Sequence, residues 1–167
     1  MCLHGLQREW EQDMLPLVRE MALGDPDQQI RALALETIGS RREDPSSVSF
    51  LIDALRFERV RRVRMTIGRS LAENGSEAAF LRLKQAAEEG DLPLVAAGHR
   101  LLLRQSSGLE TPLLDAYRLF GYDAMRRAFL DSANPKLVAE VQRIEARWKR
   151  LSSDTRKPEE QQRSGQQ

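Results

Sequence analysis

DPDQQIRALALETIG, residues 25–39, decides the fold. Asp25-Pro26 supplies an N-cap side chain followed by a proline suited to a first helical turn. Ile30, Ala34 and Ile38 then follow at helical spacing. The same spacing returns at Val63, Ile67 and Leu71 and again at Val95, His99 and Leu103, at steps of 33 and 32 residues. A second set lies between these helices. Leu15, Val48, Phe80 and Leu113 are separated by 33, 32 and 33 residues. Val18, Leu51, Leu83 and Ala116 keep that register, as do Met21, Ala54, Ala86 and Leu119, and Ala22, Leu55, Ala87 and Phe120. No stretch alternates with the period of a strand, so the chain reads as all-α.

A fixed period means stacked units. A helix–turn–helix unit of about 32 residues cannot bury its apolar stripe alone and must pack on its neighbours. The expected organisation is one repeat domain over 1–151, with a lone helix near 10–23 and hairpins at 25–56, 58–89, 91–120 and 122–151. The lone helix lacks a first partner, which suggests self-association with another copy through that half-repeat. The last helix carries a narrow seam of Leu137, Val141, Ile144, Trp148 and Leu151 on an otherwise charged surface, as a terminal cap requires. Residues 152–167 hold no apolar side chain except one proline and are expected to be disordered. Asp44-Pro45, Thr111-Pro112 and Asn134-Pro135 mark further helix starts. Gly24, Gly39, Gly75, Gly90, Gly108 and Gly121 mark helix ends, where left-handed backbone suits glycine.

The 167 residues carry 26 basic and 25 acidic groups, a formal net charge of +1. The near-balance hides an alternation of −4 over 1–40, +4 over 41–72, −2 over 73–110 and +3 over 111–151. Arginine supplies 22 of the 26 cations, which suits forked contacts with carboxylate or phosphate. No apolar run is long enough for a bilayer span, and the first residues lack the regions of a secretion signal. With Cys2 as the single cysteine, the expected location is cytoplasmic, as a whole chain or as the soluble part of a larger, even membrane-anchored, protein.

The stretch 25–39 resembles the first helix of a HEAT repeat, above all the short HEAT-like units of phycobilisome-lyase type with an armadillo-type fold. Asp25, Ile30-Arg31, Ala34 and Ile38-Gly39 carry the match. The second unit keeps Val63-Arg64, Ile67 and Leu71-Ala72, with Glu58 where Asp is usual; the third keeps Asp91, Val95 and Leu103, with Ala96 in place of Arg. The resemblance implies an α-α superhelix and a structural role for Arg31 and Arg64, reaching Asp or backbone across units, in a ladder that lapses at Ala96. It also implies that the second helix of each pair lines a concave side.

On that basis the chain is expected to be a non-catalytic protein-interaction scaffold or adaptor. Its candidate partner-binding residues are Arg19, Glu20, Asp53, Arg56, Arg82, Lys84, Asp115 and Arg118, an acid–base mosaic suited to reading a partner's charge pattern. The alternative is nucleic-acid or polyanion binding through the Arg-rich helix at 56–69, by Arg59, Arg61, Arg62 and Arg69. A protein partner is preferred because few aromatics are present to stack on bases. The third reading is an enzyme on a HEAT-like scaffold, of chromophore-lyase or DNA-glycosylase type. Trp10 and Trp148 stand at opposite ends of the chain, and no nucleophile has an adjacent base. The repeated His-Glu dipeptides of iron-dependent HEAT-like hydroxylases are also missing. No catalytic residue, metal ligand set or cofactor is therefore expected, and His99 reads as a packed histidine.

Overall fold

The computed structural model describes residues 3–42, 44–104 and 108–154. Cys2 and most of the expected tail, from residue 155 onward, lie outside the described residues. The described chain is all-helical. In order the helices are α1 (Leu3–Gly24), α2 (Gln28–Gly39), α3 (Pro45–Phe57), α4 (Arg61–Asn74), α5 (Glu77–Glu88), α6 (Leu92–Leu103), α7 (Glu110–Phe120), α8 (Asp123–Leu130) and α9 (Pro135–Asp154). None of the described helices is long and apolar enough to cross a membrane. The chain divides into two compact units, Met1–Ala116 and Tyr117–Gln167.

Start signals act largely where the sequence puts them. Asp44 accepts a hydrogen bond from the Ser46 backbone N–H at 2.9 Å, with Pro45 in the first turn of α3. Asn134 likewise receives the N–H of Lys136 at 3.1 Å at the start of α9. Two assignments shift. Asp27, not Asp25, caps α2, taking the Gln29 N–H at 2.7 Å, while Asp25 folds a turn onto the Asp27 N–H. Helix α7 begins at Glu110, which puts Thr111-Pro112 inside its first turn. The N-terminal helix also starts well before residue 10, at Leu3.

In the first unit the repeat columns form the core. Val48, Phe80 and Leu113 are buried, and Leu51, Leu83, Val63, Ile67, Leu71 and Val95 are sealed from water. Leu119 shares their register yet is 62% exposed. Helix α1 lies closely along α2.

The helices of this unit form two rows. Helices α2, α4 and α6 pack closely side by side, whereas α1, α3 and α5 touch one another lightly. Small residues permit the close row. A Cβ added at Gly39 would sit 2.5 Å from Ser70 Cβ, and one at Gly68 would sit 2.9 Å from Ala97 Cβ. Gly39 is therefore a close-approach glycine within α2, while Gly75, Gly90, Gly108 and Gly121 do adopt positive φ. Helices α2, α4 and α6 are thus the tight, inner row of this unit, and α1, α3 and α5 the loose one.

The second unit packs the end of α7 with α8 and α9 around Tyr117, Met125, Phe129, Leu137 and Val141, all buried. The Tyr117 ring meets Phe129 edge-on at 5.7 Å and Trp148 at 5.4 Å.

Replacing a helical glycine by alanine normally stabilises a helix. Gly39→Ala is expected to do the opposite, lowering stability by about 1–3 kcal/mol through overpacking against Ser70. Ser70→Gly in the same chain should recover much of the loss, as chemical denaturation of the single and double variants would show.

Candidate interaction surface

The arginines at the start of the inner helices do structural work. Arg31 Nε donates to Glu58 Oε2 at 2.9 Å and its Nη1 to the Asp25 carbonyl at 2.8 Å. Arg64 repeats the arrangement one unit later. Its Nη1 donates to the carbonyls of Leu55 at 2.8 Å and Glu58 at 3.0 Å, and its Nη2 to the Asp91 carboxylate. Both ion pairs span 27 residues, and both are largely shielded from water. Buried Ala96 fills the third position and offers no such side chain. Burial by itself would raise the Glu58 pKa. The bonds from Arg31 and from the Val60 N–H outweigh that and hold Glu58 below its ordinary range, while the Glu58 bond raises Arg31.

Several of the eight candidate partner-binding residues have partners within the chain. Arg19 bends down onto α3, donating to Ser46 Oγ at 2.7 Å and stacking on the Phe50 ring at 5.4 Å. Arg56 pairs with Asp53 at 3.2 Å on its own helix, and half-buried Arg82 lies 3.6 Å from Glu89. Glu20 and Lys84 are exposed, and Asp115 is half-buried. Arg118 belongs to the second unit, 3.7 Å from Glu140. In the first unit the chosen helices α1, α3 and α5 form the looser row. Apolar periodicity reports which side of a helix is buried, not which row is tighter.

Arg59, Arg61, Arg62 and Arg69 are all exposed, at or within the start of α4 and along it. Arg69 donates to Thr66 Oγ1 at 3.1 Å. Two inner-row cations escaped the sequence reading. Arg100 is the one exposed position within α6, and exposed Arg104 is its C-cap. The signal was available: a lone Arg in the apolar run LPLVAAGHRLLL. His99, by contrast, is a packed histidine, with Nδ1 2.7 Å from the Ala96 carbonyl oxygen. Among the described residues no cluster of His, Cys, Asp and Glu could hold a metal ion.

A separate polar knot sits in the second unit. The Tyr117 hydroxyl donates to Glu145 Oε1 at 3.0 Å, and Arg126 Nε donates to the same oxygen at 2.6 Å. Burial, reinforced by Glu145, pushes the Tyr117 phenol up to about 12. Hydrogen bonding from Arg126 holds Glu145 below its usual range.

A sequence model of the family described as HEAT repeats matches residues 15–103, from within α1 through α6. Comparison with curated proteins and with solved structures returned no match.

Two pH effects follow. Glu58, depressed in the folded chain, contributes stability above its ordinary value of 4.5 that is lost as pH falls through the folded value. Glu58→Gln should flatten that acid limb in denaturation curves taken across the acid range. Tyr117, raised, contributes stability below its ordinary value of 10.0 that is lost as pH climbs through about 12. Tyr117→Phe should remove that alkaline loss, as melts in alkali would show.

Proposed function

Since the chain belongs to the HEAT-repeat family, whose repeats are commonly protein-interaction scaffolds, we propose that it is a non-catalytic, cytoplasmic adaptor module that binds a protein partner on the surface of its first unit. The observation that carries this reading is the arginine–carboxylate ladder of Arg31 with Glu58 and Arg64 with Asp91. A ladder of this kind holds successive helix pairs in fixed register. Side chains on the outside of such a stack are pre-organised, so a partner meets little ordering cost in the backbone. Two arginines of the looser row are paired with carboxylates, Arg56 with Asp53 and Arg82 with Glu89. The reading therefore moves the recognition surface to the inner helices.

Polyanion binding is the second reading, favoured by the exposure of Arg59, Arg61, Arg62 and Arg69 together. It predicts affinity for duplex DNA that falls with salt at a log–log slope of about −0.9 per phosphate neutralised.

Affinity capture from the source lysate, followed by reconstitution of the captured protein with the purified chain, tests the scaffold reading. A defined protein complex that forms without nucleic acid is the expected outcome. Binding that nuclease treatment abolishes would favour the polyanion reading instead.

A further inference from the structure

We infer that the inner row of the first unit docks an acidic protein segment, gripped by Arg62, Arg69, Arg100 and Arg104; this rests on the interaction-module reading and names the chemistry of its partner. Burial leaves five helical positions of α4 and α6 exposed: Arg61, Arg62, Arg69, Glu73 and Arg100. Four of the five are arginine, and the fifth, Glu73, lies 3.7 Å from Arg42. Arg104 continues the row from the C-cap of α6. Arg62, Arg69, Arg100 and Arg104 meet no carboxylate among the described residues; Arg69 donates only to the Thr66 hydroxyl. Their counterparts on α3 and α5, Arg56 and Arg82, are paired, and exposed Lys84 shares α5 with exposed Glu77 and Glu88. The first unit thus concentrates uncompensated positive charge on one row of helices.

Geometry gives this charge an order. Gly68 lies against Ala97 and Gly75 against Arg104, so α4 and α6 run parallel and in step. Arg62, Met65 and Arg69 follow one another along the side of α4 that faces away from Val63, Ile67 and Leu71. Arg100 and Arg104 are one turn apart on α6. Guanidinium forks match carboxylates two bonds at a time. Half-buried Met65 and Leu103 lie on the same two helices and offer adaptable apolar contact. Leu33, 65% exposed, adds another on α2. An acidic segment with interspersed apolar side chains uses both kinds of contact. A phosphate backbone uses only the first, and the exposed positions of α4 and α6 include no aromatic ring on which a base could stack. Exposed Glu36 on α2 repels phosphate but can pair with a basic residue flanking an acidic motif.

The test uses the full chain and three fluorescent probes: a synthetic peptide alternating Glu or Asp with Leu, its Lys-for-acid counterpart, and a short DNA duplex. Anisotropy titrations are expected to show binding of the acidic peptide, weakened by salt, and none of the lysine peptide. The Arg69→Glu/Arg100→Glu double variant should lose at least about tenfold in affinity for the acidic peptide and gain affinity for the lysine peptide, with its melting temperature unchanged. The inference falls if the wild-type chain ignores the acidic peptide at low salt. It falls equally if the double variant binds that peptide as well as the wild type, or if the duplex binds as tightly as the peptide. A partner captured equally by the wild type and the double variant would overturn the inference and leave the module reading standing. A wild-type chain that captures no protein would overturn the module reading itself.

Discussion

The guanidinium of Arg64 ties three segments together. It caps the carbonyls of Leu55 and Glu58 before its own helix and reaches forward to the Asp91 carboxylate ahead of the next inner helix. Arg31 does the same one unit earlier, with Glu58 as its acceptor. Each rung satisfies backbone acceptors at a helix-to-helix turn and links one pair to the next. Removing one partner would leave a shielded charge without its counterion, which is far costlier than loss of a surface pair. Apolar burial supplies the bulk of the stabilisation, but it does not choose the register between pairs. The rungs do.

Register in turn allows the inner helices to come close. Gly39 faces Ser70 and Gly68 faces Ala97, offsets of 31 and 29 residues, so small side chains meet because successive pairs are held in step. The close row then carries its exposed arginines on a surface with little freedom to rearrange. Structure and recognition thus divide one residue type between them. Arg31 and Arg64 turn inward onto carbonyls and carboxylates, while Arg62, Arg69 and Arg100 turn outward.

Much of this was legible in the residues. The apolar columns, the structural role of Arg31 and Arg64, Glu58 in an Asp position and the lapse at Ala96 follow from the repeat and the resemblance; the contacts of Arg31 and Arg64 bear out their role, and the HEAT-repeat match bears out the family. The close approach of α2, α4 and α6 was not legible, because the small residues that meet are 31 and 29 apart, off the 32–33-residue period. Single-helix patterns also say nothing about where a long side chain lands: Arg19 reads as an outward cation yet lies on Ser46 and Phe50. Leu119 shows the converse, an in-register apolar residue left exposed. Arg100 and Arg104 do not stand out in the density of charge along the chain. What distinguishes them is being exposed on well-buried helices.

A double-mutant cycle on Arg64 and Asp91 tests the central claim most directly, with Arg64→Met, Asp91→Asn and the combined variant measured by chemical denaturation. The account predicts a coupling energy of about 1–3 kcal/mol, in the range of residues sharing one hydrogen-bonded network. Single-variant losses that simply add, with coupling indistinguishable from zero, would contradict it.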